Sequence, residues 1–289
     1  MVNLRRVAVF SIAVAIYLLV GRLCIAADQA IDAIAREQWQ ESYHTIAKSI
    51  TMRRGQTQIL LLEKPLLFYT NPVRSNDQHG AIFLWTENGR PAVIGSIWSA
   101  VNRQNMDSRF VTHEWHSLVV DADVSAVRGE MPLWESGEPG VAWERLDVAP
   151  ADSRAARLVQ MRSIVRRYSV AIQVEGKSDL RLMAQPLYRY PEQAEGALDG
   201  AVFSFAMTTD PELLVLLEGR GVAGQSAWHV AFARFGNKEM TVKDGDKAVW
   251  SCPAGAPGTS DGKYYLRWRA EEMPASSQQK TSLTNPASP

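Results

Sequence analysis

Beyond residue 57 the chain is written mainly in short runs that alternate apolar and polar residues or are apolar throughout. Gly, Pro, Asn and Asp bound these runs, a pattern that predicts strands. In the first half they are Gln58–Leu62, Leu66–Thr70, Ala81–Thr86, Ala92–Trp98, Glu114–Val120, Pro132–Trp134 and Val141–Leu146. In the second half they are Leu180–Met183, Ala201–Ala206, Leu213–Glu218, Trp228–Phe235, Ala248–Trp250 and Lys263–Trp268. Asn88-Gly89, Asp244-Gly245 and Asp261-Gly262 mark hairpin turns, because a two-residue turn of matching twist needs positive φ at both central positions. Two stretches carry a helical period instead. Asp28–Met52 places Ile31, Ala35, Trp39, Tyr43, Ile46 and Ile50 on one stripe, and Ser153–Tyr168 does the same with Leu158, Met161, Val165 and Tyr168 after the start signals Pro150 and Asp152.

The pattern is also written twice. Gly80–Trp98 and Gly200–Glu218 match without a gap at an offset of 120 (200 − 80), with Ala81/Ala201, Phe83/Phe203, Trp85/Phe205 and Pro91/Pro211 in step. Weaker echoes flank this block: Asn71-Pro72-Val73 with Gln185-Pro186-Leu187, Trp115-His116 with Trp228-His229, Gly129 to Trp134 with Gly245 to Trp250, and Pro139-Gly140 with Pro257-Gly258. A repeat of this length is the size of a small domain. The expected fold class is therefore α+β, with two similar halves, each a helix followed by an antiparallel β-meander, related by a pseudo-twofold. The expected boundaries are 28–149 and 150–271, preceded by a signal segment over 1–27 and followed by a disordered Pro/Ser-rich tail over 272–289.

The expected signal segment rests on order. Arg5 and Arg6 precede the apolar run Val7–Val20, and the small residues Cys24, Ala26 and Ala27 follow. The run is shorter than the ~20 residues that span a bilayer, so cleavage near Ala26 or Ala27 and export to the periplasm or beyond are expected, with no stable membrane span afterwards. Leu23 before Cys24 argues against lipid attachment at that cysteine. The alternative is an uncleaved membrane anchor. Removal of the segment leaves Cys252 alone, so the mature chain has no internal disulfide to form.

Composition narrows the partners. The chain has 289 residues, 46% of them hydrophobic, enough for an ordinary core. Lys plus Arg and Asp plus Glu both total 31, so no global charge draws the protein to nucleic acid. Arg154, Arg157, Arg162, Arg166 and Arg167 give the second helix a basic face, either solvated or turned to an anionic partner. Nine Trp is a high count; such side chains fill cores or, exposed, stack on ligands.

Leu180–Tyr190 (LRLMAQPLYRY), together with DGAVFSF, TDPELLVLLEGR and the later Trp228-His229, resembles an uncharacterised family of exported bacterial proteins, most clearly from Arg157 to Trp250. The resemblance implies export and supports the domain boundaries. It brings no activity and no catalytic residue.

Candidate chemistry centres on His113-Glu114-Trp115-His116. A zinc protease motif needs two His four apart on a helix, whereas these are three apart in an expected strand. On a strand Glu114 and His116 share one face, and His113 and Trp115 the other. The catalytic candidates are thus His116 and Glu114, with His229 joining them across the expected pseudo-twofold; structural histidines are the alternative. Gly219-Arg220-Gly221 lacks the strand–turn–helix setting of a dinucleotide site, no serine lies in a GxSxG elbow, and no cofactor or metal is expected. Two function classes follow: a non-catalytic exported binding or assembly module for a peptide, glycan or another exported protein, or a hydrolase using the His/Glu pair with or without a metal.

Overall fold

A computed structural model describes residues 36–71, 77–121, 123–174, 176–221, 225–255 and 264–275. The expected signal segment and most of the expected tail lie outside them. The chain forms two compact units, Met1–Ser42 with Ser276–Pro289, and Tyr43–Ala275. Of the first, the described residues, 36–42, are helical and belong to α1, which is described over 36–48. Everything below concerns the second.

The expected α+β class is overturned. Among the described residues the protein is nearly all β, 57% strand against 11% helix, and its largest sheet is an almost closed antiparallel barrel. Among the described residues there are two helices, α1 and α2 (Arg154–Val165). Both fall within stretches of helical period, but the periodic stripe overstated the first. It stops at residue 48, because Thr51–Arg54 pairs on both sides as strand β1, and Gly55, at φ +53, turns it into β2 (Thr57–Leu61). Two helices of three or so turns each cannot define the class of a chain whose other segments are almost all strands.

The nine-stranded sheet runs in the order β18-β6-β5-β4-β2-β1-β7-β8, with β3 (Leu67–Asn71) also on β4. Here β4 is Gln78–Glu87, β5 Arg90–Val101, β6 Ser108–Ser117, β7 Val124–Arg128, β8 Met131–Ser136 and β18 Tyr265–Pro274. Its two ends curl together: Arg128 on β7 reaches Glu271 on β18 at 3.4 Å, and Trp115 on β6 lies against both Trp134 on β8 (ring centroids 6.1 Å) and Trp268 on β18 (4.5 Å). A five-stranded sheet has the order β12-β13-β14-β15-β9, with β9 Glu144–Arg145, β12 Arg181–Arg189, β13 Asp199–Met207, β14 Asp210–Arg220 and β15 Ala227–Arg234. A four-stranded sheet, β11-β10-β16-β17, is built from Lys177–Asp179, Tyr168–Gln173, Met240–Asp244 and Lys247–Cys252.

The central hairpins keep the register that the sequence echo implies. Gly80 pairs with Trp98 and Gly200 with Glu218, and each ladder shifts by a bulge at the corresponding place, Trp85/Thr86 and Phe205/Ala206. The two glycines share a physical reason: Tyr69 lies over Gly80 and Tyr190 over Gly200, so that a Cβ at either would come within 2.6 Å of the ring. The echo fails one strand later. Trp115 pairs with Gly95 and Phe232 with Val215, so Trp115 stands where Phe232 does; His229, opposite Glu218, stands where Thr112 does, opposite Trp98. Trp115-His116 and Trp228-His229 are therefore not equivalent.

Outer strands are exchanged. β9, from the first half of the sequence, completes the five-stranded sheet on β15, while β18, the last strand, completes the barrel on β6. Two described cores result. In one, Met161, Ile164 and Val165 of α2 cover Phe203, Val215, Trp228 and Val230. In the other, Ile82, Leu84 and Ile94 of the barrel meet Val202, Leu214 and Leu216 of the five-stranded sheet. Alternate residues of β13 and β14 thus face opposite cores, which is why these strands read as unbroken apolar runs.

Candidate functional site

The second core is closed at one end by a carboxylate. β14 is buried along nearly its whole length, and Glu218 near its end is 1% exposed. A buried carboxylate needs partners, and they come from two directions. Arg90, at the start of β5, grips it with both arms, Nε to Oε1 at 2.9 Å and Nη2 to Oε2 at 2.9 Å. Arg220, two residues along β14, donates Nε to Oε2 at 2.5 Å. Tyr190 packs alongside, and burial together with the negative charge of Glu218 holds its phenol proton well above the ordinary range.

The turn that presents Arg90 is tightly held. Asn88 and Gly89 both have positive φ, 49 and 80, as the Asn-Gly pair predicts. Tyr188 donates its hydroxyl to the Gly89 carbonyl (3.0 Å), Asn88 Nδ2 donates to Glu195 Oε2 (2.6 Å), and Pro191 lies against the Gly89 Cα. Arg54 stands on the rim, paired with Glu87 (2.7 Å), Asp121 and Asp123 (3.4 Å). Between these groups opens a cavity of about 600 Å³ whose apolar wall includes Pro91, Leu118, Val120 and Trp143. The Arg220 guanidinium sits 4.2 Å above the Trp143 ring. A bound molecule would meet partly exposed guanidinium edges of fixed orientation beside an aromatic wall, an arrangement that orients acceptor-rich ligands.

The sequence candidates lie elsewhere. Glu114 and His116 do share a face of β6, but both are buried. Glu114 accepts from Trp98 Nε1 (2.8 Å) and from the Tyr265 hydroxyl (2.7 Å), and forms an ion pair with Arg267 Nε (3.3 Å). His116 points Nδ1 at its neighbour's carbonyl, Ser117 O, at 2.6 Å, and burial pushes its pKa down to about 4. His113 is sealed among Trp115 and Trp268, with Glu271 at 3.8 Å. His229 is on the other sheet, between Glu218 and Arg145 in register, with Nδ1 3.2 Å from Ala227 O and its pKa lowered chiefly by desolvation. Glu218 and His229 are cross-strand neighbours in register, and His113 and Glu271 approach across β6 and β18, but the trio His116, Glu114 and His229 is not brought together. The basic face of α2 is largely spoken for: Arg154 and Arg157 converge with Arg189 on Asp199, Arg162 meets Gln185, and Arg167 meets Asp244.

Among the described residues no three His, Cys, Asp or Glu are grouped to hold a metal ion, and no helix is long and apolar enough to cross a membrane. Sequence reasoning passed over Arg90, Glu218, Arg220 and Trp143. One signal was there: Glu218 interrupts the run LLVLLEG as its only charge, and a charge in a buried strand has to be paired. No family model, curated protein or solved structure matches the chain.

Proposed function

We propose that this protein is an exported, non-catalytic binding module whose ligand, a short glycan segment, sits in the cleft between Arg90, Glu218, Arg220 and Trp143. The observation that carries this is the buried Glu218 holding two guanidiniums in fixed planes beside an indole. Glycans present many acceptors and flat apolar faces, and rigid planar donors next to an aromatic suit both. The burial of His116 and the hydrogen bonds that engage both oxygens of Glu114 favour binding over hydrolysis at that pair. Export rests on the order of charge, apolar run and small residues in 1–27, and the common register of the two central hairpins supports an internal duplication of that element.

A soluble-glycan array identifies the best oligosaccharide, and calorimetry then compares the parent with Arg90→Ala and Trp143→Ala. Both variants are expected to lose at least about tenfold in affinity, since a hydrogen bond to a charged group is worth about 1.5–3 kcal/mol. Binding indifferent to both substitutions would overturn the assignment. Hydrolysis of the same glycan, lost in His116→Asn, would establish the enzyme instead.

A further inference from the structure

A second groove lies at the corresponding end of β5. Where β14 has Glu218 and Arg220, β5 has Trp98 and Ala100, and where β15 has His229, β6 has Thr112. The groove holds about 310 Å³ and is lined by Trp98, Ala100, Phe110, Thr112, Arg269 and the loop 102–104. Unlike the Glu218 cleft, it has no acidic side chain in its lining. Its loop wall is firmly built. The buried Asn102 accepts from Gln104 N (3.0 Å) and donates Nδ2 to Ser108 Oγ (3.1 Å), and backbone bonds link Asn105 to Asn102 and Ser108 to Asn105.

Arg269 is the distinctive group. It projects from β18 with its guanidinium carbon 3.7 Å from the Phe110 ring centroid, and it makes no hydrogen bond or ion pair with any described residue. Its neighbour on the same face, Arg267, is by contrast held by Glu114 at 3.3 Å and lies over Trp98. The acids that follow do not neutralise Arg269. Glu271 is engaged with Arg128 and His113, and Glu272, across from Phe110, forms no ion pair with it. Stacking a guanidinium on a ring fixes its plane and leaves the N–H edge to donate in a fork that matches a carboxylate.

We propose that this groove binds a carboxylate carried on a ring, the carboxylate paired edge-on with Arg269 and the ring against Phe110, Ala100 and Thr112. The carboxylate has two sources of that chemistry, a uronic acid of a glycan or a free aromatic acid. The site is independent of the Glu218 cleft and stands if that assignment fails.

The test follows the arginine Nε–H resonances of the full mature chain by NMR during titration with glucuronate, with benzoate, and with neutral methyl glucoside as a control. Saturable perturbation of Arg269 by glucuronate is expected if the source is a sugar acid, by benzoate if it is an aromatic acid, and by methyl glucoside in neither case. Arg269→Gln and Arg269→Lys should each weaken binding at least about tenfold, because Lys keeps the charge and loses the fork. Arg90→Ala should leave it unchanged. Arg269 is exposed, so the fold survives its substitution, checked by circular dichroism. No saturable shift at Arg269 with either acid, or equal affinity in Arg269→Gln, overturns the proposal.

Discussion

At the scale of single residues, charge and imidazole in this protein are matters of packing before chemistry. His116 shows it best. Its ordinary pKa of 6.5 falls to about 4 in the folded protein, chiefly through desolvation, with the Arg234 charge assisting and the Ser117 carbonyl opposing. A folded pKa below the unfolded one means that the unfolded chain binds more protons in between. The contribution is then fully present above pH 6.5 and lost as pH falls toward 4. The difference of about 2.5 units corresponds to roughly 3 kcal/mol. His116→Asn, neutral throughout, is expected to flatten that part of the stability curve, read as the difference between variant and parent in urea midpoints from pH 7 to pH 4. Identical slopes would show that His116 titrates normally. The shared face of Glu114 and His116 was legible in the sequence, since alternation alone dictates it. What occupies that face was not, because Trp98, Tyr265 and Arg267 come from strands 16 to about 150 residues away in sequence. Glu218 was legible as an anomaly in an apolar run, but its partner Arg90, 128 residues distant, was not.

Elements follow local rules more faithfully than their assembly does. The hairpin at Asn88-Gly89 turns on those two residues, whereas the second turns one residue later than expected, on Gly245 and Asp246, with Asp244 still paired to Lys247; α2 begins at the Ser153 cap, whose hydroxyl oxygen accepts from Ala156 N. The sequence could not show how far α1 runs, because Ile50 and Met52 fit a helical stripe and a buried strand equally well. Strand β7 was missed for a related reason: Val124–Arg128 is short, and only its pairing with both β1 and β8 makes it a strand. The two Gly-x-x-x-φ-Trp blocks do behave alike. Gly129 and Gly245 have φ of 60 and 58, and each block carries its Trp past a bulge to pair with Ala126 or Val242. Their burial differs, however: Trp134 is 7% exposed and packs on Trp115, while Trp250 is partly exposed on Phe232. Truncating Trp134 to Ala should cost about 3–5 kcal/mol, and Trp250→Ala distinctly less. Denaturant unfolding of the two variants checks the order; a Trp250 cost equal to or above that of Trp134 would contradict it.

For the whole molecule the decisive feature is the pair of exchanged strands. β18 satisfies the outer edge of β6 and supplies Tyr265 and Arg267 to Glu114 and Trp268 to His113 and Trp115. A chain ending at residue 255 leaves that edge unpaired and Glu114 short of two partners. It is expected to lose its cooperative thermal transition and to associate, as open edges do. Size-exclusion chromatography and near-UV circular dichroism test this, and a monomer with the parent's melting temperature would make β18 dispensable. Both exchanged strands lie within the single compact unit Tyr43–Ala275.

The exchange has a consequence in time as well as in space. Glu114 and Tyr265 are 151 residues apart, and a ribosome adding about 5–20 residues per second needs roughly 8–30 seconds to travel from one to the other. Throughout that interval the barrel lacks its closing strand, and the outer edge of β6 is without its partner. The nascent chain is thus held open by its own topology until β18 has been made.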